Sequence, residues 1–283
     1  MATSLSVFIS VDMEGIAGIT TVRQCRRGTD DYSWARELMT DEANAAIEAA
    51  FDATARKVVV SDSHADMGNL LPHRLDQRAV LVQGTPKVPF SMMTGMEEGF
   101  SCAAFIGYHA GAGTSEAILD HTYTGFFTDV RVNGESWNET HLNAALAGTF
   151  GVPVGFVAGD RACCEQAKAK LPWIRTVAVK EGFGNRVGRS LSPTKARAAI
   201  HGLFSEVVKN ADQLEVFAPE GPFTFEIDAI GTAVADMCAL SPGTDRVGPR
   251  TVRFETDDFR MLYRCLLTWM NLGNRVAPSY PVE

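Results

Sequence analysis

The chain has 283 residues, 46% of them hydrophobic and 21% charged, with a net charge of −8. That is a globular balance, long enough for one large domain or two small ones. No basic stripe runs along it, which argues against a nucleic-acid surface, and no apolar stretch reaches the length of a membrane helix. The first residues carry no basic leader, and their short apolar run is interrupted at Asp12, so no signal peptide is expected. Six cysteines without CxxC spacing read as reduced, mostly buried thiols of a cytoplasmic protein, not as a disulfide frame or a zinc knuckle.

In chain order, Val7 to Val11 reads as a buried parallel strand that ends in Asp12-Met13-Glu14-Gly15. A polar loop leads to a helix over 32–55, then a strand over 57–62 followed by Ser63-His64. A loop and short helix are expected over 69–75, a strand over 79–82 and a short amphipathic helix over 90–99. The strand over 103–109 again ends in a histidine, and the small, Gly-rich 110–115 that follows matches no phosphate-binding fingerprint. Residues 121–132 alternate like exposed strand, Asn133-Gly134 is a hairpin signal, and a helix over 138–150 has Asn138 as its cap. A strand over 153–159 ends in Asp160, with a helix over 161–171 and a strand over 176–179 behind it.

Gly182, Gly184 and Gly188 then read as a looser link. Ser192-Pro193 starts a helix that runs to 210. A strand over 223–228, a short helix over 231–238, a strand over 250–255 and a helix over 257–272 follow. The expected fold class is α/β: a mostly parallel sheet flanked by helices over 1–188, with a smaller C-terminal α+β domain over 189–283.

The unusual polar residues fall at strand ends. Asp12 and Glu14 are two apart, so in extended backbone they share a side, roughly 6–7 Å from each other. On its own that pair reads equally as an acidic turn after a strand. His64, His109 and Asp160 follow other expected strands, and in an open parallel sheet all carboxyl ends share the edge where ligands bind. On the helix after Asn138, Glu139 and Asn143 share a face, while His141 points elsewhere and reads as a surface or packing histidine. Asp12, Glu14 and Glu139 supply hard oxygens, and His64 and His109 supply nitrogen. That mixture suits zinc, with manganese or cobalt as the other ions it accepts. Five ligands suit two ions if one carboxylate bridges, and a bridging hydroxide would then be the nucleophile. Asp62 is expected to orient a ligand; Asn143 and Asp160 are further supporting or substrate-binding candidates. His121, after the Gly-rich loop, is the candidate for moving a proton to a leaving amine.

These motifs resemble the DppA-type D-aminopeptidases, a family of zinc metallopeptidases. The likeness is carried by Ser10-Val11-Asp12-Met13-Glu14-Gly15, Asp62-Ser63-His64, Gly107-Tyr108-His109-Ala110, His121, Val132-Asn133-Gly134 through Glu139 and Asn143, Val157-Ala158-Gly159-Asp160 and Leu191-Ser192-Pro193. It implies two zinc ions held by Asp12, Glu14, His64, His109 and Glu139, with His121 as the catalytic histidine. It also implies hydrolysis of short peptides with an N-terminal D-residue and a homo-oligomer, a decamer of two pentameric rings around a chamber. The chain departs from the family pattern at Gly111-Ala112-Gly113, at Glu135-Ser136-Trp137-Asn138 and at His141, which bears on substrate preference; 272–283 match nothing usable. Two other readings stay open: a metal-dependent hydrolase of another small amide or ester, and a small-peptide-binding protein without catalysis.

Overall fold

The computed structural model of the chain describes residues 5–277. The leader reading rests partly on 1–4 and the unmatched closing stretch partly on 278–283; both pieces lie outside the described residues. The first apolar run forms β1 (Ser6–Val11), followed by a single turn, α1 (Val22–Cys25), the long α2 (Asp30–Asp52), β2 (Lys57–Asp62), β3 (Val80–Val82) and β4 (Cys102–Tyr108). The middle of the chain holds the hairpin β5 (Phe127–Val132) and β6 (Glu135–Ser136), α3 (Glu139–Gly148), β7 (Val154–Asp160), α4 (Arg161–Lys170) and a second hairpin, β8 (Arg175–Gly184) with β9 (Val187–Ser190). Then come α5 (Pro193–Lys209), β10 (Phe223–Ala229), α6 (Thr232–Cys238), β11 (Thr244–Arg246), β12 (Thr251–Thr256) and α7 (Phe259–Gly273).

Seven strands form one sheet in the order β3-β2-β1-β4-β7-β8-β9, parallel throughout except for β8 with β9. Its central strands β1, β4 and β7 are buried along almost their whole length because both faces are covered there. Val7, Ile9 and Val11 pack towards α2 and α5, while Phe8 points into the opposite core with Phe105, Tyr108 and α3. Fully burying each such side chain stabilises the fold by roughly 1.5–3 kcal/mol. β1 lies between β2 and β4, so the connections leave it in opposite directions, and the crevice at its carboxyl end is the switch point where such sheets take ligands. Val11 pairs with both Asp62 and Ile106, which sets the ends of three strands level. Two glycines let those ends close up: a Cβ on Gly15 would sit 1.9 Å from the Tyr108 carbonyl oxygen, and one on Gly107, at φ +71°, 2.1 Å from that of Asp12.

A second, antiparallel sheet runs β11-β12-β10-β5-β6. Phe223, Phe225 and Ile227 alternate into its buried face, where α7 lays Trp269 on Phe225 at 5.0 Å between ring centroids. α3 is buried along its whole length, packed against β4, β7 and α7. The expected α/β class is therefore what the chain adopts. The two layers interleave along it: β5 and β6 lie before residue 188 yet pair into the second sheet, and α5 lies after it yet packs on α2 against the first.

Local details differ from the sequence reading. Residues 182–188 are not a link but the turn region of the β8–β9 hairpin. Gly182 and Gly188 are there for close approach, since a Cβ on Gly182 would lie 2.4 Å from the Glu116 carbonyl oxygen and one on Gly188 2.2 Å from that of Glu181. No helix forms over 69–75, because Asp62 captures the backbone N–H groups of Asn69 and Leu70 in turns. Over 90–99, Gly95 and Gly99 take positive φ and leave two 3-10 turns instead of one helix. α1 and β11, both short, carry too little periodicity to be read.

Candidate metal centre

Asp12 and Glu14 leave β1 on a loop that is tied down twice. Asp12 N–H donates to Ile106 at 2.8 Å and Gly15 N–H to Gly107 at 2.8 Å. From below, the buried Lys180 ammonium donates to the carbonyls of Glu14, Ile16 and Ile19, so a lysine on β8 gathers the turn around itself. Burial pulls its pKa down to about 8. His64 follows β2. Its Nε2 is 2.8 Å from the Cys25 carbonyl, and its Nδ1 faces Glu14 at 2.9 Å and Asp12 at 3.3 Å. His109 follows β4. Its Nδ1 is 3.0 Å from the Ala110 carbonyl, and its Nε2 faces Glu139 at 3.4 Å and Asp12 at 3.5 Å. Glu139 is the first residue of α3, behind its cap Asn138, and accepts the Tyr123 N–H at 2.6 Å.

The five expected ligands thus converge from four separated segments, all buried. Three acids in one buried site oppose each other. Burial, then the charge of Glu14, raises the Asp12 carboxyl. Glu14 and Glu139 are held low despite burial, by His64 and His109 respectively. The same pairing draws both imidazoles upward against their own desolvation. The cluster therefore calls for positive charge at its centre. Its donor geometry fits divalent metal. In each histidine the far ring nitrogen is committed to a backbone carbonyl, which fixes the tautomer and leaves a lone pair towards the acids. His109 Nε2 is fully buried with no hydrogen-bond partner. Ligand atoms of Asp12, Glu14 and His109, and of His109, His121 and Glu139, lie within 4.8 Å of one another.

His121 differs from the rest. Its ring stacks on His109 at 4.0 Å, Nδ1 is 2.8 Å from the Leu119 carbonyl, and Nε2 lies 3.9 Å from Glu139. Its side chain is 24% exposed against 1% for His109. Asp62 touches no imidazole. It accepts from Asn69 and Leu70, and Asn69 in turn donates to the His64 carbonyl at 2.6 Å, so its hold on the site runs through the loop. Asn143 lies one turn beyond Glu139 and joins the hydroxyls of Tyr108, Tyr123 and Tyr263. Asp160 stays out of the cluster. It caps α4 and accepts the Ile118 N–H at 3.1 Å, three residues before His121. His141 is a packing residue rather than a surface one, with Nε2 3.0 Å from the Gln166 carbonyl and a pKa that burial lowers to about 4. Lys180, Tyr263 and the Cys25 sulfur, which sits beside Glu14 and His64, were not anticipated as parts of the site.

The sequence matches the D-aminopeptidase family over residues 5–268. The chain belongs to that family. Membership makes it a peptidase, as the resemblance of its motifs implied. A D-aminopeptidase of Bacillus subtilis (strain 168) is 33% identical over 274 residues, 96% of this chain and 99% of that one. A solved structure, described as the Zn-dependent D-aminopeptidase DppA from Bacillus subtilis, a self-compartmentalizing protease, superposes with a TM-score of 0.93. It is 32% identical, and the likeness covers 97% of this chain and 100% of that one. Among the described residues no helix is long and apolar enough to cross a membrane.

Proposed function

We propose that the chain is a zinc-dependent aminopeptidase that cleaves short peptides with an N-terminal D-residue, with Asp12, Glu14, His64, His109 and Glu139 holding two ions. The observation that carries the reading is the convergence of three acids on two imidazoles whose lone pairs face them, one of these nitrogens buried without a partner. When bound, the ions supply the charge that makes water a nucleophile near neutral pH and polarises a carbonyl. His121 has its Nδ1 proton on Leu119, which leaves Nε2 free to take a proton from attacking water and return it to the leaving amine. Asn143 and the tyrosines around it hold the Glu139 face of α3 and the Tyr123 loop in place. Asp62 and Asp160 brace the His64 and His121 loops from behind.

A homo-oligomer and a cytoplasmic location belong to the same reading; the description of the relative as self-compartmentalizing suits the first, and six buried free cysteines suit the second. The test is metal content per chain with turnover of a panel of D- and L-aminoacyl peptides, amides and esters. Two zinc ions per chain and cleavage favouring D-aminoacyl peptides are expected. Cleavage of esters alone, or zinc binding with no turnover, would sink the peptidase reading.

A further inference from the structure

Two cavities meet at the metal-site residues. The inner one, about 230 Å³, lies against Asp12 and Glu139 and is walled by Met67, Met92 and Met270. The outer one, about 600 Å³, opens on the other side of Glu14, His64 and His121. Those three side chains border both, so a peptide bond at the ions would have one end in each cavity. The inner space is small, with Ala65 and three methionines on its wall beside the polar groups, which suits the side chain of a small N-terminal residue. The outer space receives whatever follows the scissile bond.

The outer wall is charged in a particular way. Arg26, Arg27 and Arg186 line it against Asp66 and Asp120. Both acids are already engaged. Asp66 pairs with Arg27 at 2.7 Å, and Asp120 accepts from Asn185 at 2.6 Å and from Gly113 N–H at 2.8 Å. The guanidinium groups of Arg26 and Arg186 have no hydrogen bond or ion pair among the described residues. Neither arginine sits on a free loop. Arg26 follows Cys25, whose carbonyl is bonded to the His64 ring. Arg186 follows Asn185, whose carbonyl accepts the Leu119 N–H at 2.8 Å and whose side chain holds Asp120. Each free cation is therefore one residue from a clamp on a histidine-bearing loop.

Resting on the aminopeptidase reading above, we propose that Arg26 and Arg186 receive the C-terminal carboxylate of a di- or tripeptide in the outer cavity. They thereby make the enzyme select short peptides with a free acid end. One residue of extended chain spans about 3.5 Å, so a carboxylate one or two residues past the scissile bond still lies close to the site. Guanidinium groups are suited to it by charge and by their planar fork of donors.

The experiment compares D-alanyl-D-alanine with its C-terminal amide, using the full chain loaded with zinc. The wild type should prefer the free acid. In Arg26→Ala/Arg186→Ala the acid-to-amide ratio of kcat/KM should fall about ten- to a hundredfold, through KM, as expected for lost charge-assisted hydrogen bonds. Arg186→Lys in the Arg26→Ala background should restore part of the ratio by charge alone. A wild type that cleaves acid and amide equally, or a double variant whose ratio does not move, overturns the proposal. A zinc-loaded wild type that cleaves neither takes the proposal down together with the aminopeptidase reading.

Discussion

His121 is the one imidazole at the site that combines a fixed tautomer with access to solvent. That is the combination proton transfer needs, since a ligand nitrogen has no lone pair left to move a proton. Yet its Nε2 also lies within ligand distance of the His109 and Glu139 donor atoms, and a substitution separates the two roles. In His121→Gln, kcat should fall about 10²–10⁴-fold while zinc content stays at the wild-type value, the usual range for a lost general base. Zinc lost in step with activity would make His121 a ligand instead. At this scale the sequence was informative wherever geometry is local. Strand ends on one sheet edge gave Asp12, His64 and His109, and one helical turn linked Glu139 to Asn143. It was silent where partners are remote. Nothing in the amphipathic pattern of α7 distinguishes Tyr263, whose hydroxyl reaches Asn143 120 residues away, from any other core tyrosine. Lys180 likewise looks like a strand lysine until the β1 loop closes over it.

At the scale of elements, α2 does more than cover the sheet. It puts Glu42 under the loop that carries Glu14, where Oε1 accepts the Ala17 N–H at 2.9 Å and Oε2 is buried without a partner. Burial raises this carboxyl to about 7, with the Ala17 hydrogen bond and the charges of Lys180 and Arg197 opposing the rise. A carboxyl raised on folding binds more protons in the folded than in the unfolded state between its two pKa values. Stability is therefore lost as pH climbs from about 4.5 to about 7 and is level beyond. The span corresponds to about 3 kcal/mol. Glu42→Gln keeps an acceptor for Ala17 and cannot ionise, so its stability relative to wild type should rise by about that amount over the same window, whatever the fixed cost of burying its amide. Urea denaturation at pH 5 and pH 8 measures the difference, and a difference independent of pH would show that Glu42 is not strained by its charge. Helix α2 itself was legible from its apolar spacing. The acid on its buried side was not, because its partner is the loop and not the helix.

The whole molecule is built so that two differently constructed layers share one buried seam, with the metal-site acids at its end. The chain folds three carboxylates and two imidazoles into one buried cluster, and the proposed zinc ions would bind that arrangement but not the unfolded chain. Metal then stabilises by linkage, by about 4 kcal/mol at a free concentration a thousand times Kd. For a chain of this size that is roughly 10 °C in Tm. Calorimetry with zinc and with a chelator should show a difference of that order. The size of a ligand substitution's effect should depend on the metal. Glu139→Gln keeps an oxygen for Tyr123 N–H but removes the charge that faces His109. Without metal it should lower Tm slightly, because His109 holds that carboxyl low and the favourable pairing is lost. With zinc it should lower Tm by several degrees, because a neutral amide is a poor ligand and the linkage term shrinks. An equal loss in both conditions would mean that Glu139 stabilises α3 through its cap position alone, and that the acids gather at the sheet edge for a reason other than cations.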